Sequence, residues 1–320
     1  YRDEIADETL RCRSFVARIA TSNVDNLAAA IAKQWLTPQS LPACEQPFEW
    51  LRAQEALTPA LIEQRVRLAL KNGKHDFARQ LVVTLPAERA QPLQQWIALL
   101  QTPQRAIDAL IAAPDAPVEP EALLAGWTRL TRVDSDAAMQ RVAKLIRTRN
   151  LTEEAASPYV LALAMALAWD RRPETLQYFS RVAARDLDDA ALEWRARAAL
   201  LAQDWTAVAT SIAAMSGDLR ASARWRYWTA RAAEQTGDPQ LARRLYESTL
   251  VDDNFYSVMA AARLDRPIAP HLQKLPADMV QLRQIEQLPA LVRARELLLS
   301  DLRPLATVES VIRVTGSAPT

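Results

Sequence analysis

Apolar and polar positions along the chain recur with the 3.6-residue period of amphipathic helices, and three stretches align without gaps. Residues 65–70 (Arg-Val-Arg-Leu-Ala-Leu) lead to a turn at Gly73, residues 195–200 (Arg-Ala-Arg-Ala-Ala-Leu) to a turn at Gln203 and Asp204, and residues 229–234 (Thr-Ala-Arg-Ala-Ala-Glu) to a turn at Gly237. In each, the turn falls six residues after an arginine: Arg67, Arg197 or Arg231. A second amphipathic segment follows every turn, "HDFARQLVVTL", "WTAVATSIAAM" and "PQLARRLYESTL", and the second and third turns lie 34 residues apart. A helix–turn–helix unit with that period predicts an all-α chain, an α-solenoid or superhelix of tetratricopeptide-like (TPR-like) helical hairpins. One such hairpin cannot bury its apolar face alone, so neighbours must stack.

The remaining periodic segments predict helices over 22–36, 45–56, 87–101, 103–113, 119–131, 134–149, 152–170, 173–184, 254–264 and 289–303. No alternating pattern runs beyond about four residues, so no sheet is expected. The Pro-rich stretch "PIAPHLQKLP" at 267–276 reads as a linker. The expected organisation is therefore a superhelical hairpin domain over 1–266, a linker and the start of a following helical segment over 267–306, and a tail over 307–320. Helical spacing marks Trp225, Trp228 and Tyr246 as packing residues of the last hairpin rather than ligand contacts.

Composition supports the helices and narrows the chemistry. Half of the 320 residues are hydrophobic, Ala, Leu and Arg dominate, and only 5 are Gly; those three residue types lose little on entering a helix. Many of the 19 Pro stand at helix starts. A net charge of +1, from 39 basic and 38 acidic residues with no basic tract interleaved with aromatics, excludes a nucleic-acid partner. The most apolar run, "YVLALAMALAW" at 159–169, is too short to span a bilayer, and no transmembrane segment is predicted. There is no initiator Met and no signal peptide, and the first residues already read as helical, so the chain is expected to begin inside a domain.

Reactive groups are few. The acid pairs Glu153/Glu154, Asp188/Asp189 and Asp252/Asp253 fall at helix starts, where carboxylates meet the N-terminal dipole; adjacent helical residues also diverge, so the pairs do not converge on a substrate. The dispersed glycines cannot form a phosphate loop, and the nucleophile-elbow pattern Gly-x-Ser-x-Gly is absent. His75 and His271 read as surface histidines without ligand spacing, and no metal or cofactor is called for. Cys12 and Cys44 admit two readings: buried free thiols, or a disulfide tying the loop "TPQSLPACEQPF" to the first helix. The latter would stabilise the chain by about 3–4 kcal/mol and imply an oxidising compartment.

The last hairpin is the most specific stretch. "WRYWTARA" at 225–232, a Gly turn, "ARRLYESTL" and "FYSVMAAARL" at 255–264 resemble the soluble lytic murein transglycosylases. "LRC" at 10–12, Trp35-Leu36, "PACEQPF" at 42–48, "RVRLALKNG" at 65–73 and "RARELLLSDL" at 293–302 follow the family's order, so the likeness covers most of 10–305. The resemblance implies a superhelical ring of α-hairpins in the bacterial periplasm, carrying a separate lysozyme-like domain at its C-terminal end. That domain cleaves the MurNAc–GlcNAc bond of peptidoglycan without water, leaving a 1,6-anhydro-MurNAc end, with one Glu as acid and then base. The family's Glu-Ser and Gly-Leu-Met-Gln motifs are not found together here. Glu247-Ser248 lies within the last hairpin and Glu309-Ser310 is followed by "VIRVTGSAPT". No catalytic residue is therefore carried over. The tail over 307–320 departs from the family, which continues through more helices, so a truncated form or a fragment is expected.

The resemblance also favours the Cys12–Cys44 disulfide. It implies peptidoglycan glycan strands as partner, with other cell-wall enzymes as further candidates. Arg67, Arg197 and Arg231 become candidate substrate-binding residues on the inner wall, aimed at stem-peptide carboxylates. The competing reading has the three arginines paired with acids of the solenoid itself. The alternative function is a TPR-like protein-binding scaffold without a glycan role.

Overall fold

The computed structural model describes residues 7–268 and 278–307. His271, most of the 267–276 stretch, Glu309 and the tail from 308 onward lie outside the described residues. The fold is all-α, and among the described residues there is no strand. The chain separates into two compact units, Tyr1–Arg266 and Pro267–Thr320.

Local chemistry starts most helices. Asp7, Thr58, Asp134, Thr152, Asp188, Asp204 and Asp238 each accept a hydrogen bond from the backbone three residues on, satisfying an N–H with no partner inside the helix. Pro59, Pro103, Pro120, Pro239 and Pro289 open their helices, where a missing N–H costs nothing and φ is pre-set. The three aligned turns share one geometry. Gly73, Gln203 and Gly237 all take positive φ, at 70°, 56° and 93°. The residue after each returns a hydrogen bond to the carbonyl five positions back: Lys74 to Ala69, Asp204 to Ala199 and Asp238 to Ala233, at 2.8, 3.0 and 2.9 Å. This is the Schellman closure of a helix C-terminus, and it folds the second helix of each pair back on the first.

In the first unit, helix packing runs between elements adjacent or next-but-one in sequence, the pattern of a solenoid. Buried clusters follow one another along the chain. The first gathers Cys12, Leu27, Ile31, Trp35, Phe48 and Leu51; a larger one extends from Val66 to Leu167. A small one holds Ala164, Ala168, Phe179 and Ala191, and two more centre on Trp225 and on Tyr227 with Tyr246. Each fully buried Leu, Ile or Phe contributes about 1.5–3 kcal/mol. Trp127, fully buried, also donates its indole N–H to the Tyr159 carbonyl at 2.8 Å. A disulfide joins Cys12, on the helix Glu8–Ala20, to Cys44, in the short turn Pro42–Cys44, and both residues are fully buried. No helix among the described residues is long and apolar enough to cross a membrane.

The structure revises several boundaries. The helix expected over 22–36 occupies Leu27–Trp35, because Ser22 and Asn26 turn the chain through positive φ between it and Glu8–Ala20. The 173–184 segment shortens to Thr175–Phe179 plus a single turn at Ala184–Asp186. There Ala183 is extended and donates its N–H to the Ser157 hydroxyl at 2.9 Å, so a tertiary bond replaces the helical one. In the second unit Met279–Glu286 precedes Pro289–Leu299 and packs on it, and Ala290 and Ala294 are buried. Of the expected hairpin core, Trp225 and Tyr246 are buried, but Trp228 is only half-buried, lying between two clusters. Tyr227 takes the central place, with Trp228, Tyr246 and Tyr256 around it at 5.3, 5.7 and 5.9 Å between ring centroids.

Candidate functional site

The three aligned arginines stand at equivalent places on the first helices of their hairpins, and each meets a carboxylate of the solenoid. Arg67 forms a fork with Glu119 at 2.6 and 2.7 Å and reaches Glu63, one turn back, at 3.0 Å. Glu119 raises the Arg67 pKa and is itself held below the usual carboxylate range by that fork. Burial pushes the Glu63 pKa up, but the Arg89 and Arg67 guanidinium groups outweigh it and hold it low. Arg197 donates to Glu193 at 3.0 Å; the same carboxylate accepts from Arg224 and from the Trp225 indole, so it ties two hairpins together. Arg231 donates to Glu234 at 2.6 Å, and Glu234 also accepts from the Tyr246 hydroxyl. Burial raises the Tyr246 pKa, and the Glu234 charge adds to that.

The arginines also face aromatic rings. The Arg197 guanidinium lies 4.7 Å from the Trp194 ring centroid, and that of Arg231 lies 5.5 Å from Trp205. Trp194 meets Trp169 edge to face, with centroids 6.2 Å apart, and Arg132 sits over Trp169 at 5.5 Å. Trp169 and Trp194 line an open groove of about 780 Å³ together with Arg171, Arg172, Arg197 and Leu201. Among the described residues, no acidic side chain lines it. Arg172 pairs with Asp136 at 2.8 Å. Arg132 and Arg171 have no carboxylate partner among the described residues. Arg132 itself lines a separate cavity of about 620 Å³, with Lys71, His75, Trp96, Glu121 and Arg129.

Three helix ends build this groove. Trp169 is the last residue of Glu153–Trp169 and is 40% exposed, although most of that helix is apolar and buried. Arg171 follows in the turn with φ of 54°. Trp194 and Arg197 project one turn apart from Asp189–Leu201. Sequence reasoning reached Arg197 but missed Trp169, Trp194 and Arg132. The available signal was that Trp169 and Trp205 stand at helix ends, where a large ring is not fully enclosed; mid-helix Trp194 gave none.

The remaining candidates are structural. Asp188 caps its helix, while Asp189 accepts from the Ser216 backbone and hydroxyl at 2.8 and 2.5 Å, which lowers its pKa. Asp252 pairs with Arg226. Glu247 bonds to Arg243 and Arg266 at 3.3 and 3.1 Å. His75 opens its helix beside Asp76, 3.8 Å away.

Comparison with known proteins matches this architecture. The chain is 24% identical over 294 residues to the soluble lytic murein transglycosylase of Salmonella typhimurium, covering 90% of this chain and 45% of that protein. The protein of the same name from Escherichia coli K12 is 23% identical over the same spans. The crystal structure of the 70 kDa soluble lytic transglycosylase of Escherichia coli superposes with a TM-score of 0.75 at 22% identity, over 95% of this chain and 49% of that one. An inactive mutant of the lytic transglycosylase Slt from Pseudomonas aeruginosa gives 0.75 at 21% identity, over 97% and 50%. The chain thus spans about half the length of the relatives it matches. No protein-family model matches it.

Proposed function

We propose that this chain, which matches the soluble lytic murein transglycosylases in sequence and in fold, acts on peptidoglycan as the helical portion of such an enzyme. It positions glycan strands for a catalytic domain that these 320 residues do not supply. The observation that carries the reading is the match itself: a likeness along 90% of the chain to a protein of that name, with a superposition of TM-score 0.75 on a solved relative. The buried Cys12–Cys44 bridge supports an oxidising compartment, which for a cell-wall protein is the periplasm. Arg67, Arg197 and Arg231 serve this function as the fixed, ion-paired frame of the wall, and stem-peptide carboxylates compete for their outward donors. The Glu-Ser pair at Glu247 is held in the solenoid by two arginines and takes no catalytic part.

The shared turn geometry and the 34-residue spacing of the second and third turns favour a second reading, a TPR-like scaffold for other cell-wall proteins. Co-sedimentation with purified, protein-free murein sacculi separates the two. The first reading requires the chain to pellet with sacculi, and failure to pellet overturns it. Incubation of sacculi with the chain alone should release no 1,6-anhydro muropeptides; their appearance would show a reactive centre within these residues.

A further inference from the structure

We propose that the groove between Trp169 and Trp194 is a binding site for an anionic saccharide, with a pyranose ring stacked on Trp169 and its carboxylate held by Arg132 and Arg171. The inference deepens the peptidoglycan reading above and rests on it, since that reading supplies the acidic sugar.

Three features of the groove point to such a ligand. First, Trp169 is held but not covered. Its ring packs against that of Trp194, nearly perpendicular at 6.2 Å, and carries the Arg132 guanidinium at 5.5 Å, yet the residue remains 40% exposed. Leaving a large indole in water forgoes much of its burial energy. A braced, half-open ring provides a flat apolar platform whose ordering is already complete before a ligand arrives. The C–H face of a pyranose is such a ligand's complement.

Second, the charge is one-sided. The lining contributes Arg171, Arg172 and Arg197 and no carboxylate. Arg172 and Arg197 are paired with Asp136 and Glu193, which do not line the groove. Arg171, exposed in its turn, and Arg132, over the ring, form no ion pair with an acid among the described residues. Guanidinium donors match a carboxylate in a planar fork, so an acidic sugar gains where a neutral one does not.

Third, the dimensions suit a short stretch of glycan. A cavity of about 780 Å³ falls within the range of small-ligand sites, about 300–1,000 Å³. Single-stranded nucleic acid also combines stacking with negative charge. The net charge of +1 and the lack of a basic tract along the chain disfavour it.

The test is a titration of the full chain, followed by tryptophan fluorescence, at about 0.15 M ionic strength. The probes are the disaccharide GlcNAc–MurNAc, whose lactyl group carries a carboxylate, the neutral disaccharide chitobiose, and an oligothymidylate. The expected order is GlcNAc–MurNAc tighter than chitobiose by about tenfold, one charge-assisted contact, with no oligothymidylate binding. Trp169→Ala should weaken both sugars by about tenfold. The double variant Arg132→Gln/Arg171→Gln should erase the preference for the acidic sugar while leaving chitobiose unchanged. Trp169→Leu serves if the alanine variant melts early, and isothermal calorimetry replaces fluorescence for the Trp variants. Equal binding of the two sugars, wild-type affinity in the Trp169 variants, or tighter binding of the oligothymidylate would overturn the proposal. Sacculus co-sedimentation run alongside keeps the two claims apart. If wild type and Trp169→Ala pellet equally while the disaccharide titration is flat, the groove proposal fails and the peptidoglycan reading stands. If wild type does not pellet, that reading fails, and only a preference for the acidic disaccharide could still uphold the groove.

Discussion

Arg65 is a buried cation with no carboxylate partner among the described residues, and replacing it tests how the N-terminal segment is fastened to the solenoid. Only 2% of the residue is exposed. Its guanidinium donates to the Thr37 carbonyl at 3.2 Å and the Gln39 carbonyl at 2.9 Å. It lies 4.1, 5.0 and 4.9 Å from the rings of Trp35, Phe48 and Phe77. Burial lowers its pKa to about 10, so the charged form is held by the two carbonyls and three ring faces alone. Arg65→Lys keeps the charge but loses the fork. One ammonium cannot reach both carbonyls, lacks a plane to stack on Trp35, and is more strongly hydrated. Losing one hydrogen bond to a charged group costs about 1.5–3 kcal/mol, and weaker cation–π contact adds about 1 kcal/mol. The expected loss is about 2–4 kcal/mol. Arg65→Met removes the buried charge and fills similar space; it should cost less, about 1–3 kcal/mol, for the buried Thr37 carbonyl left unpaired.

Because solenoids lose cooperativity between repeats, the local measurement is native-state hydrogen exchange. The Thr37 and Cys44 amides, bonded to the Trp35 and Leu41 carbonyls at 2.8 and 2.9 Å, report on the loop. In Arg65→Lys their protection should fall by about thirtyfold or more, and by less in Arg65→Met. Protection within a factor of two of wild type in the lysine variant, or a methionine variant clearly worse than the lysine one, would refute the reasoning.

Three further outcomes follow from the same coordinates. Cys12→Ala/Cys44→Ala opens a loop with a sequence separation of 32 and should lower stability by about 3–4 kcal/mol; a chemical melt that leaves the N-terminal transition unmoved would contradict this. Gly126→Ala places a Cβ 2.6 Å from the Leu99 Cβ, where no flexible chain end can yield, so a thermal melt should show a loss of about 1–3 kcal/mol. The Glu119 pKa is lowered by the Arg67 fork. Its contribution, about 1 kcal/mol for a half-exposed bidentate pair, is therefore complete above the ordinary value of 4.5 and disappears as pH falls through the lowered one. Glu119→Gln should reduce stability at neutral pH and flatten the acid limb of a stability–pH curve, and an unchanged limb would rule the pair out.

The sequence by itself determined the elements and their turns. A positive-φ residue and the Schellman bond after it are local events, as are the Asp and Thr caps and the helix-opening prolines, so the hairpins centred on Gly73, Gln203 and Gly237 could be aligned residue by residue before any packing was known. The quoted motifs likewise placed the chain beside its relatives, because they are linear features. Tertiary structure decided the partners. Arg67 meets Glu119, 52 positions away, and Arg65 gathers rings from 35, 48 and 77. Tyr227 rather than Trp228 fills the last core, and Ala183 leaves its helix for the Ser157 hydroxyl. Trp169 joins Trp194 and Arg132 only where successive hairpins stack. Helical periodicity gives the face on which a side chain stands, within one helix. The rotation and offset between neighbouring hairpins depend on how small residues such as Gly126 and the buried alanines let their helices approach, and those distances are settled by all the packed side chains together.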